Sequence, residues 1–412
     1  MSTTAGRATR ARTLVRRCAV AIAATTAAAA QFLFIPAAGA LPAAAPERGS
    51  AGAEHRDDPN APVLSEHPIP FTTRFQADMQ GNITRIGNTL LTCDETKAPV
   101  KAGTAPCTDA RNGVGPNIFD NNYQMRYVNI EPPGRKGPLG DDIYSSSSAS
   151  LTLPDSATVK FARLYWGATR GIGKTVLPIT QVDEVYFKAP GDSEFRDIAA
   201  QGDIGQINTT QETAYQASAD VTDIVKAAGG GTYEVADLDT VIAPHSWGSW
   251  TLVVATEDCN QPMRHLQVWD GFQVELPNSP AIDIDVNGFH TPAKDKLFAK
   301  LGYVGYDGDR TYTGDTLSIK TTNGPETQIS DDRHPANDIM NSTISSPFAS
   351  DQFTRNPNYD NTFGQDLAVF DVSKLMRAGD TNLRMRFNTT LDGYQLGAAF
   401  VAINLDDSAD SG

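Results

Sequence analysis

Cysteine is scarce in this 412-residue chain, at four residues, and histidine is hardly commoner, at six. No run of three basic side chains occurs, and 34 Lys and Arg stand against 49 Asp and Glu, a net charge of −15. An acidic chain without basic clusters is repelled by phosphate backbones and anionic lipid, which excludes nucleic acid as a partner. Sparse cysteine excludes a disulfide-dense mini-scaffold, and a hydrophobic content of 40% excludes both a disordered chain and a polytopic membrane protein. Catalytic signatures with local spacing are missing too: the chain has no Gly-x-Ser-x-Gly, no His-Glu-x-x-His and no Cys-His pair in a recognisable context.

What is present begins with an address. Arg7, Arg10, Arg12, Arg16 and Arg17 form an acid-free basic region, followed by an Ala-rich apolar stretch from Cys18 to Ile35 and the small-residue site Ala38-Gly39-Ala40. Residues 1–40 read as a signal peptide, with a membrane anchor the competing reading and the export route, general or twin-arginine, left open. Cleavage after Ala40 removes those five arginines and no acid, so the chain's −15 becomes −20. The expected location is extracellular, with possible cell-surface association and no stable membrane insertion after cleavage. Residues 41–68, rich in Ala, Pro, Glu and Asp, read as a disordered leader, and residues 406–412 as an acidic tail.

Beyond the leader, apolar residues alternate or form short runs between Gly, Pro, Asn and Asp clusters: Val159 to Trp166, Val182 to Phe187, Trp250 to Ala255 and Leu266 to Val274 among them. Period two with β-branched and aromatic residues is the strand signature, and helical patterns are few and short, so the fold class is all-β. A repeat organises these strands. Asp220-Val221-Thr222 to Gly229, followed by Thr232 to Val235, matches Asp371-Val372-Ser373 to Gly379, followed by Asn382 to Met385. Upstream, Val159 to Gly167 parallels Lys296 to Tyr303; downstream, Ser249 to Asp258 parallels Leu396 to Asp406. Two tandem jelly-roll-like β-sandwiches with short helical turns are expected, at 69–276 and 277–405, joined near Pro277 to Pro280. In the repeated cassette, Asp or Thr/Ser is expected to cap a single helical turn that two apolar residues pin over the sandwich end.

The cassette resembles the "DVT-x-L-x-x-G-x-N-x-L-x-V" stretch of galactose-binding-like jelly rolls, which implies scaffold more than sugar binding. A wider resemblance runs through Gly87-Asn88-Thr89-Leu90, Leu164-Tyr165-Trp166-Gly167, Trp269-Asp270-Gly271-Phe272, Gly305 to Asp309 with Gly314-Asp315, and Asn337 to Ser345. This pattern is similar to the N-terminal ectodomain of bacterial, often actinobacterial, surface proteins that carry conserved-repeat stalks. The resemblance implies an adhesin-like or unassigned role. No stalk repeat or sorting motif follows here, which favours a freely secreted product.

Candidate sites are few. Cys93 and Cys107 are expected to pair in an oxidising exterior, a closure worth about 3 kcal/mol in the chain-entropy model. Cys259, left over once Cys18 departs with the signal, is expected to be a half-buried free thiol at a strand end. Asp307, Asp309 and Asp315, spaced by glycines, are the candidate ligands for Ca²⁺, with Arg310 the local rival for their charge. Of Trp247 and Trp250, Trp247 is expected to be the exposed one and a stacking face for a ligand. The motif Ala168 to Thr175 satisfies a loose P-loop pattern but lacks the following helix, and reads as a strand connection. The reading of the whole is a secreted, non-enzymatic interaction protein with a glycan or protein ligand; the alternative is a secreted hydrolase acting on polysaccharide or peptide, whose paired carboxylates no local spacing would reveal.

Overall fold

The computed structural model describes residues 67–119 and 121–406. The expected signal peptide, nearly all of the expected leader and the tail beyond Asp406 fall outside the described residues. Those described lie in one unit, within residues 51–412, and are almost wholly β. Runs such as Gly248–Glu257 and Tyr394–Asn404 are buried along almost their entire length, as strands covered on both faces must be. Asn382–Thr389 instead alternates buried and half-buried residues, with Leu383, Met385 and Phe387 inward, so one face meets the core and the other the solvent.

The strands form a long composite sheet flanked by two smaller ones. Ile69–Thr89 is the hinge of the composite: residues 69–80 pair with Met263–Glu275, and residues 81–89 pair with Gly248–Glu257. On one side the order runs Gly248–Glu257, Thr158–Ile172, Glu212–Asp220, Gly205–Asn208. On the other it runs Met263–Glu275, Tyr394–Asn404, Ala299–Tyr306, Gln365–Asp371, Ile344–Ser345. The outer sheets repeat the correspondence: Ser146–Leu151, Gly231–Ala236, Glu184–Lys188, Arg196–Ala199 against Ile282–Asn287, Asn382–Thr389, Asp315–Thr321, Thr327–Gln328.

Three cores hold the layers together. Leu164, Trp166, Phe187, Val235 and Val254 form one core, and Leu301, Tyr303, Leu317, Met385 and Phe387 another. Between them, Phe161, Tyr165 and Val253 pack against Val304, Leu367 and Phe400, so the two large sheets lie face to face with the small sheets outermost. Met263–Glu275 lies between residues 69–80 on one side and Tyr394–Asn404 on the other.

The repeated cassettes occupy matching places. Val221 N donates to Ala162 O at 3.0 Å and Val372 N to Ala299 O at 2.9 Å. Ala162 N donates to Thr222 Oγ1 at 2.9 Å and Ala299 N to Ser373 Oγ at 3.0 Å. The expected cap is replaced by this arrangement. No side chain caps either turn; Asp220 and Asp371 accept from the N–H two residues on, and the hydroxyls reach across to the neighbouring strand. The first turn continues as the helix Thr222–Ala228 and the second stops after the 3₁₀ turn Ser373–Leu375.

The loose P-loop motif is a tight hairpin, with Gly171 opposite Val176 and Gly173 at a φ of 60°. Ile282–Asn287 is an edge strand with alternate burial; its outward Asp283 and Asp285 pair with Arg386 and Arg384.

Candidate functional site

Cys93 and Cys107 are joined, with Cα atoms 5.7 Å apart, and sit in a small core with Leu91, Tyr123, Met125 and Phe363. The expectation for Cys259 is corrected: it lies half-buried just past the strand Gly248–Glu257, as expected, but is disulfide-bonded and not a free thiol.

At the end of the sheet where Ala299–Tyr306 finishes and Gln365–Asp371 begins, the candidate metal ligands diverge. Asp307 adopts the left-handed region at φ 60°, and its carboxyl turns toward Glu212. Gln395 Nε2 bridges them, donating to Glu212 Oε1 at 2.9 Å and to Asp307 Oδ2 at 3.3 Å. Burial, reinforced by the charge of Glu212, raises Asp307 well above the carboxylate range; burial also raises Glu212, against the pull of Thr169 Oγ1 and Trp247 Nε1. Asp315 lies elsewhere, fully buried, its Oδ2 accepting from Met340 N at 2.5 Å and its neighbours being Asp338 and Asp366. Burial lifts Asp315 to about 7, Asp366 to about 8 and Asp338 to about 6. Asp309, buried, acts on Asp307 by its charge. Among the described residues no three acidic, His or Cys side chains meet at one metal-sized point. Arg310 does not serve the trio either: its Nη2 donates to Thr343 Oγ1 at 3.0 Å and Asp360 O at 2.7 Å.

Trp247 is a second correction. It is 1% exposed, stacked on Tyr306 at a centroid distance of 4.9 Å, and donates Nε1 to Glu212, so its face is spent inside the protein. The polar edge of the indole found its acceptor on a strand distant in sequence, which a strand pattern does not report.

Two pockets open where the large sheets meet. The first, about 160 Å³, is walled by Asn82, Thr84, Arg264, Phe298, Lys300 and Phe348. Lys300, 1% exposed, donates Nζ to Ile83 O at 2.5 Å and to Asp351 Oδ2 at 3.0 Å. Arg264 lies 4.4 Å over the Phe298 ring and donates to Gly81 O and Asn404 Oδ1. Burial depresses Lys300 to about 8 despite Asp351, with Arg85 and Arg264 adding to the effect. The second pocket, about 300 Å³, is walled by Arg74, Arg163, Asp203, Gln216, Ser218 and Asp270. Asp270 Oδ2 accepts from Arg74 Nε at 2.7 Å and Tyr165 OH at 3.0 Å, and lies 3.5 Å from Arg163 Nε. Arg163 and Lys300 hold corresponding strand positions, opposite Asp220 and Asp371 respectively.

Sequence reasoning missed both pockets and also Asp366 and Glu212. The pockets and Glu212 join residues more than 40 positions apart, as Ile83 with Lys300 and Thr169 with Glu212 do, and Asp366 meets Thr343 from 23 positions away. The one available signal was the Asn337 to Ser345 stretch, which lies beside Asp366 and Asp315.

No family model matches the chain, and no curated relative matches it. Among solved structures, PNGase F, a glycosylasparaginase from Flavobacterium meningosepticum, aligns at 15% identity over 68% of this chain and 95% of its own, with a TM-score of 0.21. The major capsid protein P2 of bacteriophage PM2 aligns at 12% identity over 63% and 97%, with a TM-score of 0.18. Scores at that level carry neither fold nor function across. Among the described residues no helix is long and apolar enough to cross a membrane, and the disulfide is consistent with an extracellular protein.

Proposed function

We propose that the protein is a secreted, non-enzymatic interaction protein that holds a glycan in the groove between its two large sheets. The observation that carries this reading is the wall of the Lys300 pocket. Asn82, Thr84, Thr152, Gln261 and Ser350 supply hydroxyl and amide groups beside the rings of Phe298 and Phe348. Ring faces for C–H surfaces and neutral polar groups for hydroxyls are what a saccharide requires. The volume is below the roughly 300 Å³ of a drug-sized site, which suits one sugar unit of a longer chain. The resemblance to bacterial surface ectodomains supports the same reading. A glycan array probed with the full chain tests it, uronate-bearing oligomers included because Lys300 and Arg264 line the pocket. Binding to a defined saccharide set that falls at least tenfold in Arg264→Gln is expected; no glycan binding overturns it.

A second reading, a secreted glycan hydrolase, draws on Asp203 and Asp270 flanking Arg74 in the larger pocket. Asp270 is already engaged by Arg74 and Tyr165, an arrangement that serves structure better than proton transfer. Release of reducing ends from a polysaccharide panel, abolished in Asp270→Asn, would reverse the preference.

A further inference from the structure

Two guanidiniums share one acid in the larger pocket, the one of about 300 Å³. Arg74 Nε donates to Asp270 Oδ2 at 2.7 Å and Arg163 Nε lies 3.5 Å from the same oxygen, so a single carboxylate holds both cations side by side. Arg163, 5% exposed, is anchored further, Nε donating to Ser218 Oγ at 3.0 Å and Nη2 to Gln201 O at 2.9 Å. Those bonds leave its Nη1, and both Nη groups of Arg74, without an acceptor among the described residues, and both side chains line the pocket. Burial lowers Arg163 from its ordinary value, and the charge of Arg74 presses in the same direction. The other acid of the wall, Asp203, is exposed and reaches Arg74 by charge only. Two cations on one buried carboxylate leave a positive charge unmet, and buried donors without acceptors are rare in folded proteins.

We propose that this pocket binds a carboxylate, the acid group of a uronic-acid unit in an acidic glycan. The exposed Arg74 and the buried Arg163 present planar Nη donors, and such a fork pairs with the oxygens of a carboxylate in a way that a lysine cannot. Thr72 and Gln201 stand in the same wall and suit ring hydroxyls. The volume is at the lower end of small-ligand sites, roughly 300–1,000 Å³, and admits one sugar unit. The assignment to a sugar rests on the glycan reading of the Lys300 pocket, whereas the assignment to a carboxylate rests on the two guanidiniums alone.

The test titrates the full chain with glucuronic acid, by calorimetry and saturation-transfer NMR, with glucose as the neutral control and propionate as the control without a sugar. One saturable site for glucuronate is expected, at least tenfold tighter than for either control. Arg74→Gln should weaken it at least tenfold, and Arg163→Lys, which keeps the charge and removes the fork, at least fivefold. Arg384→Gln, on the outer sheet, should leave it unchanged. If Arg163→Lys fails to fold by near-UV circular dichroism, the exposed Arg74→Gln carries the same expectation. No glucuronate binding, propionate binding equally well, or wild-type affinity in the folded Arg74→Gln protein would overturn the proposal. Loss of binding in Arg264→Gln with Arg74→Gln unaffected would place the acid in the Lys300 pocket and overturn it too. Array binding confined to neutral glycans, with no heat from glucuronate, would overturn this site and leave the glycan reading standing.

Discussion

Arg163 and Lys300 stand at the same position of corresponding strands, and their surroundings differ. Arg163 meets a carboxylate, Asp270, that also has Arg74 and Tyr165 for partners, so the network is redundant. Lys300 meets Asp351, with Arg85 and Arg264 close enough to oppose its charge, so three cations depend on one acid. Matching strand positions thus both carry a cation at the sheet junction, while the strands that contact it decide whether it is spare or essential. A buried charge loses little when its partner has alternatives and a great deal when it has none.

The largest expected effect tests that asymmetry directly. Lys300→Ala removes the cation that hydrogen-bonds both carboxylate oxygens of the buried Asp351, leaving Arg85 and Arg264 to act on it by charge alone, and should cost about 3–5 kcal/mol, whereas Arg163→Ala should cost roughly 1–2 kcal/mol because Asp270 keeps two donors. Urea unfolding of both variants measures the gap, and equal losses would break the comparison.

The halves also differ in that only the first carries the stapled segment closed by Cys93 and Cys107, 14 residues apart in sequence. Replacing both by Ser should remove about 3 kcal/mol. If the local core of Leu91, Tyr123 and Met125 suffices, urea unfolding will show a loss well below that.

Glu275, at the end of the strand joining the halves, sharpens the comparison through pH. Burial raises it to about 7, opposed by the N–H groups of Thr389 and Ile282. The fold therefore favours its neutral form: the stability it contributes is complete below the unfolded value near 4.5 and is lost as pH rises through 7. Tm should fall between pH 5 and pH 8, and Glu275→Gln should shrink that fall by roughly 2–4 °C. A steeper fall in the variant would contradict the assigned direction.

The smallest effect probes where the halves agree. Thr222→Ala and Ser373→Ala each remove one hydroxyl that receives a strand N–H, and each should cost about 1 kcal/mol. Thermal melts of the two variants should match; a twofold difference would show that the turns are equivalent in place but not in load.

The chain order of residues determined the elements themselves and their repetition. Period-two runs such as Val159 to Trp166 form strands because alternate side chains must find opposite faces, and the Asp220 and Asp371 cassettes are legible because each turn is closed within a few residues. The pairing of Cys93 with Cys107 was legible for the same reason, since a short polar loop brings both to one place. Tertiary structure alone decided what those elements meet. Trp247 reads as a loop aromatic until Glu212 and Tyr306 arrive from other strands, and Asp307, Asp309 and Asp315 read as one set until Asp307 takes a left-handed turn toward Glu212 while Asp315 points to Met340. The face-to-face packing of the two large sheets, with Lys300 reaching Ile83 across 217 positions, rests on contacts between residues with no local relation in sequence. Backbone periodicity is a property of neighbours along the chain, whereas burial, charge neutralisation and cavity shape belong to neighbours in space.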